Sequence, residues 1–105
     1  MGYYIYADLE VKSKDEKEII ADFRNTYETA KHALDEYGGR NDEVSWTNYD
    51  TDLAEFSKKY PKVLFTMYGE GSGIMDFWVL YVKNGNYYME WGKVSYPKYN
   101  PKKLK

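Results

Sequence analysis

The feature that most constrains this chain is a pair of strand-like runs joined by Asn84-Gly85. Residues 76–83 and 86–91 are rich in Val, Tyr, Phe and Trp, which favour strands. Asn-Gly is the dipeptide that a two-residue type I′ hairpin turn favours, because both positions need a positive φ. This turn length predicts the cross-strand pairs. They are Lys83 with Asn86, Val82 with Tyr87, Leu80 with Met89 and Trp78 with Trp91.

Alternation along this hairpin predicts two faces, and neither is plainly polar. We expect one face to pack on helices and form the core, with the residues Trp78, Leu80, Val82, Met89 and Trp91. The other face offers aromatic groups to a partner, and its candidate contact residues are Phe77, Tyr81 and Tyr88.

The remaining patterns predict an α+β fold. Residues 3–12 alternate as a strand, and Ser13-x-x-Glu16 is a capping box that opens one long helix ending at Gly38-Gly39. A short strand at 44–47, a second helix from Asp50 or Thr51 to Tyr60, and a strand at 63–68 follow. The order is β-α-(β)-α-β-β-β. It predicts a two-layer sandwich with two helices on one face of a mostly antiparallel sheet of four or five strands.

Length and composition suggest one domain over residues 1–105, with a basic extended tail at 96–105. The chain has no Cys and no apolar run long enough to span a membrane, so we expect a soluble, cytoplasmic protein with no membrane partner. Charge is divided unevenly. Residues 1–57 hold 14 acids and 6 bases, whereas residues 58–105 hold 3 acids and 9 bases.

The sequence gives only weak support to three candidate chemical sites. The glycine-rich segment 69–73 joins two strands instead of opening a helix, so it favours a flexible connection over a phosphate loop. His32, the only histidine, is predicted on the solvent side of the first helix. Glu70 and Asp76 flank the loop as a possible acid–base pair, but nothing else fills the other roles of an active site. We therefore expect no enzyme, no metal and no cofactor.

Aromatic residues make up 19% of the chain, with 13 Tyr. Tyr is rigid and amphipathic, which suits half-exposed recognition surfaces. Such rings can stack on the bases of a single strand, bury against a protein, or simply reflect strand propensity. The predicted partner-binding residues on the sheet face away from the helices are Tyr4, Tyr6, Tyr68, Phe77, Tyr81 and Tyr88.

Two charged segments are further candidates. The first helix carries a predicted acidic face of Asp15, Glu18, Asp22, Glu28, Asp35 and Glu36. It can imitate nucleic acid or simply be solvated. The tail contributes Lys98, Lys102, Lys103 and Lys105. These lysines suit non-specific phosphate contacts or an acidic protein, whereas bidentate readout prefers Arg.

Residues 46–85 resemble the ferredoxin-like domain of small plasmid- and phage-borne proteins of the YubB-like type. The matching elements are Trp46, Leu53, the segment 56–61, Val63, Phe65, Glu70-Gly71, Asp76-Phe77-Trp78 and Asn84-Gly85. The chain departs from the family at Asn48-Tyr49-Asp50, where members tend to have proline, and in its lysine-rich end. The family implies a fold but no catalytic residues.

The resemblance implies a mobile-element setting, in which small cysteine-free proteins often inhibit host defence. By this analogy we expect a non-enzymatic inhibitor of the anti-CRISPR type. It would bind a host protein or ribonucleoprotein, such as a CRISPR effector, by occlusion or nucleic-acid mimicry. The alternative is a single-stranded nucleic-acid-binding module that uses the tyrosines and the tail. The oligomeric state is left open by the sequence.

Overall fold

The computed structural model describes residues 4–71 and 76–92. The basic tail lies outside these residues. The strands are β1 (Tyr4–Lys12), β2 (Val44–Ser45), β3 (Leu64–Gly71), β4 (Phe77–Lys83) and β5 (Asn86–Gly92), and the helices are α1 (Glu16–Thr26), α2 (Glu28–Ala33) and α3 (Tyr49–Ser57). The strands form one sheet in the order β2-β1-β3-β4-β5, and every neighbouring pair is antiparallel. The α+β class with a five-stranded antiparallel sheet is confirmed, whereas a ferredoxin-like order is not.

The β4–β5 hairpin has the predicted turn and register. Asn84 and Gly85 have φ angles of 48° and 80°, as a type I′ turn requires. All four predicted cross-strand pairs form. The turn is also held from outside, because Gly85 N–H donates to the Ser57 hydroxyl oxygen at 2.8 Å. Ser57 is fully buried and donates its own proton to the Ala54 carbonyl, so α3 fixes the hairpin end.

The predicted long first helix is wrong, because the chain bends at Tyr27. Tyr27 is extended, with φ −122° and ψ 115°, and it separates α1 from α2. The Thr26 hydroxyl donates to the Asp22 carbonyl at 2.7 Å, a local bond that competes with helix continuation. The bend brings Ala30, Ala33 and Leu34 into the core, and this packing outweighs a continuous helix.

The first helical region also ends earlier than its glycines predict. Leu34 is extended and bridges to Arg40, so α2 stops before residues 35–39. Gly38 instead adopts φ +84° in a turn and accepts a hydrogen bond from Leu9 N–H at 2.7 Å. The predicted capping box does not form either, because the Glu16 carboxylate accepts a hydrogen bond from Val11 N–H. The contacts at Leu9 and Val11 cover the edge of β1 that faces away from β3.

The predicted glycine connection is shorter than expected. Gly69, Glu70 and Gly71 belong to β3 and pair with both neighbouring strands or their extensions. A Cβ on Gly69 would lie 2.0 Å from the Trp78 ring, so Gly69 is needed for close packing and not for flexibility. Residues 72–75 lie outside the described chain.

The core lies between the sheet and the helices. Its largest fully buried side chains include Phe23 of α1, Phe56 of α3 and Phe65 of β3. Trp78, Leu80 and Val82 are buried and Met89 is packed against this core, as predicted. Trp91 is not a core residue, since 58% of it is exposed on β5, where α3 gives incomplete cover. No helix in the described residues is long and apolar enough to cross a membrane.

Candidate interaction surface

The sheet face opposite the helices is here called the open face. It is made by the even-numbered residues of β1, β3 and β5 and the odd-numbered residues of β4, because side chains alternate along each strand. Cross-strand pairing arranges these residues in rows. In order along the sheet, the rows are Tyr6, Glu70, Phe77; then Asp8, Tyr68, Val79, Glu90; then Glu10, Thr66, Tyr81, Tyr88; and last Lys12 with Leu64, beside Lys83 with Asn86.

All six aromatic residues predicted from the sequence lie on the open face. Tyr4, Tyr68, Phe77 and Tyr88 are exposed, and Tyr88 is the most exposed of them at 60%. Tyr6 and Tyr81 are half-buried. The Tyr81 and Tyr88 rings face each other across the hairpin, with centroids 5.1 Å apart. The rings therefore form a broad surface on a rigid sheet, while their binding role stays a prediction.

Arg40 reaches the open face from the loop after α2. Its guanidinium donates to the Glu70 carboxylate at 2.7 Å and lies 3.4 Å from Asp8. It also lies 5.2 Å from the centre of the Tyr6 ring, within cation–π range. Sequence reasoning missed Arg40, because nothing in a polar loop shows which strand its side chain will meet. The contacts tie Tyr6, Asp8 and Glu70 into one cluster.

Carboxylates are interspersed with the rings on this face. The four acids are Asp8, Glu10, Glu70 and Glu90. Loss of water around the ring and the nearby charge of Glu10 together raise the pKa of Tyr68 above the ordinary tyrosine value. The period-two pattern of residues 4–12 was the signal that places Asp8 and Glu10 beside the tyrosines.

A groove lies at the hairpin end of the open face. It has a volume of about 460 Å³ and is lined chiefly by Pro61, Leu64, Tyr81, Tyr88 and the hairpin turn. Val82, Tyr87, Lys83 and Asn86 also line it, so the lining combines apolar and aromatic side chains with polar ones. This composition suits an apolar or aromatic side chain whose neighbour is polar or anionic.

The predicted acidic face is divided by the bend at Tyr27. Asp15 and Glu18 are exposed at the start of α1, whereas Glu28 lies on α2. Two of the acids serve the fold. Asp22 accepts hydrogen bonds from Lys59 at 2.8 Å and Tyr60 at 2.7 Å, and Asp35 accepts them from Tyr37 and Gly39 N–H. Glu36 is exposed in that turn. The six acids therefore do not share one helix.

The predicted lysine tail, with Lys98, Lys102, Lys103 and Lys105, lies outside the described residues. A second groove, of about 500 Å³, brings Tyr4 of β1 and Glu28 and His32 of α2 together. His32 is exposed and lies 3.9 Å from Glu28 across one helical turn. Within residues 4–71 and 76–92, no group of three acidic or histidine side chains is placed to hold a metal ion.

No protein-family model, curated protein or solved structure matches this chain. The open face offers exposed rings, carboxylates and a shallow groove. Glu70, which the sequence paired with Asp76 as an acid–base candidate, is bonded to Arg40.

Proposed function

We propose that this chain is a non-enzymatic protein-binding module that docks through its open face. The observation that carries the proposal is the extent of exposed aromatic surface on four paired strands, with Tyr4, Tyr68, Phe77 and Tyr88 all exposed. Large apolar patches on single domains commonly mark interaction sites, and Tyr is enriched in them. A rigid sheet loses little entropy when such rings are buried.

The resemblance to YubB-like ferredoxin-like proteins suggests the biological setting. In this proposal the chain is a phage or mobile-element protein that acts in the host cytoplasm. It binds a host defence complex of the CRISPR-effector type and occludes its working surface. The acids on the open face and the exposed acids of α1 support nucleic-acid mimicry as a contributing mechanism, because carboxylates can occupy a basic cleft.

The main test is capture of the host complex with a matched pair of variants. A double change, Tyr81→Ala with Tyr88→Ala, should abolish co-purification with a nuclease or defence complex, because it removes the paired rings at the groove. Circular dichroism checks that the fold is kept. Unaltered affinity would remove the open face from the proposal, and normal activity of the host defence systems in the presence of the chain would count against inhibition.

Single-stranded nucleic-acid binding is the second candidate, and the hairpin end favours it. Lys83 lines the groove beside Tyr81 and Tyr88, so a base could stack there while its phosphate meets an ammonium group. Affinity should then fall steeply with rising salt. Fluorescence anisotropy with labelled single strands tests this, with Lys83→Gln as the variant and Lys62→Gln, at an exposed position of the α3–β3 turn, as the control. Absence of binding at low salt would eliminate it.

A further inference from the structure

The two edges of the sheet differ in how far other groups cover their backbone. At the β1 edge, the two-residue strand β2 pairs with the start of β1. Further along, Leu9 N–H donates to the Gly38 carbonyl and Val11 N–H donates to the Glu16 carboxylate. Short strands and covering side chains are the usual protection of a sheet edge. This edge therefore has little capacity to take another strand.

The β5 edge has none of these devices within the described residues. β5 is seven residues long and contains no Lys or Pro, and among residues 4–71 and 76–92 its one strand neighbour is β4. Asn86 and Lys83 close the turn as a hydrogen-bonded pair, so alternate residues point their backbone groups at β4. The N–H and C=O groups of Tyr87, Met89 and Trp91 consequently point outward.

Exposed aromatic side chains flank this row of backbone groups on both sides of the sheet. On the helix side Tyr87 is 45% exposed and Trp91 is 58% exposed, and on the open face Tyr88 is 60% exposed. An added strand would satisfy the outward backbone groups and cover these three rings at once. The edge is thus chemically suited to a strand with apolar or aromatic side chains.

We infer that the strand that fits this edge is β5 of a second copy, paired antiparallel about a two-fold axis at Met89. That register sets Tyr87 beside the second copy's Trp91 and Tyr88 beside its Glu90. Aromatic pairs of this kind stabilise antiparallel strands, as Tyr81 and Tyr88 already do within the hairpin. It also keeps the only charge of β5, Glu90, away from its own symmetry mate. A register with the two-fold axis at Glu90 would set the two Glu90 carboxylates directly opposite each other and is disfavoured.

The resulting dimer has a ten-stranded antiparallel sheet. A two-fold axis perpendicular to the sheet keeps both helical layers on one side and both open faces on the other. The dimer would therefore double the open face as one continuous surface. Self-association does not depend on the proposed partner, so it can be tested on the purified chain alone.

Sedimentation velocity across a concentration series tests the dimer. The wild-type chain should pass from monomer to dimer as concentration rises. Trp91→Lys should weaken association at least about tenfold, because each dimer gains two lysines at the edge. Tyr87→Lys provides an independent edge variant, and Tyr68→Lys, at a 46% exposed ring within the open face, is the control that should leave association unchanged. Circular dichroism checks the fold of each variant.

Amide hydrogen exchange gives a second test within one strand. Amides of Tyr88 and Glu90 bond to β4 and should be protected at every concentration. Those of Tyr87, Met89 and Trp91 should gain protection only as the dimer forms. A chain that stays monomeric at millimolar concentration, a dimer with these three amides unprotected, or an edge variant that dimerises normally would overturn the inference. Protection of the three amides in a monomer would also overturn it, and would indicate that residues 93–105 cover the edge.

Discussion

The two faces of the sheet are built by alternate residues of the same strands, but their side chains have different surroundings. On the helix side Met67 is fully buried, and Gly69 is in contact with the Trp78 ring. On the open face the intervening Tyr68 is 46% exposed. Neighbouring residues of β3 thus differ in environment, because Met67 packs in the core and Tyr68 contacts solvent. At these positions the helix side leaves no room for an added group, whereas the exposed Tyr68 ring can be changed at little cost to the fold.

The largest expected loss of stability is for Gly69→Ala. The added methyl would overlap the Trp78 ring, and neither the paired backbone nor the ring packed beneath α3 can move away easily. We expect the free energy of unfolding, measured by urea denaturation, to fall by about 3 kcal/mol, the upper end of the usual cost of overpacking. Trp78→Leu in the same chain is the control. It removes the overlap, so the double variant should lose less than the sum of the two single changes, and strict additivity would contradict the contact.

The next largest expected effect is the difference in stability between Met67→Ala and Tyr68→Ala. Met67 has no solvent exposure, and its truncation leaves a cavity that should cost about 2 to 3 kcal/mol. Tyr68→Ala removes a larger side chain but should cost less than about 1 kcal/mol, because the ring already contacts water. Thermal and urea unfolding of the two variants measure the difference. Equal losses would mean that the open face is covered in solution.

Ser57→Ala tests the support of the hairpin turn by α3. The change removes the acceptor of Gly85 N–H and should cost about 1 to 2 kcal/mol, because that partly buried donor loses its partner. Thr51→Ala is the matched control, since it removes an exposed hydroxyl near the start of α3 and should change stability far less. Equal losses for the two variants would argue against the turn contact.

The smallest effect concerns Asp22, which joins α1 to the segment after α3. Hydrogen bonds from Lys59 and Tyr60 hold the pKa of Asp22 below its ordinary value of 3.8. The unfolded chain then binds the proton more readily, so the stabilisation is complete above that value and is lost as pH falls towards the folded pKa. Asp22→Asn should cost about 1 kcal/mol at pH 7. The difference from wild type should shrink below pH 4.

Urea unfolding at several pH values measures this dependence. Glu36→Gln, an acid-to-amide change at an exposed position, should leave stability nearly unchanged throughout. A constant difference between Asp22→Asn and wild type from pH 7 to pH 3 would show that the Asp22 charge is not the source of the stabilisation.

Local patterns were sufficient for the hairpin, the strand alternation and the positions of all six aromatic residues. These depend on the φ preferences of Asn84-Gly85 and on a side-chain period of two, which distant contacts do not change. The bend at Tyr27 and the early end of α2 were not predictable, because helical spacing continues through both. There the burial of Ala30, Ala33 and Leu34 decides the backbone path.

The candidate interaction surface also depends partly on local sequence patterns and partly on tertiary contacts. The sequence by itself determined which residues share a strand face, since alternation is a local property of an extended chain. Only the tertiary structure decided that Arg40 joins Asp8 and Glu70, that Trp91 lies beyond the cover of α3, and that β5 is the last strand of the sheet within the described residues. Each of these depends on which elements become neighbours, and that choice is made by the packing of the whole core.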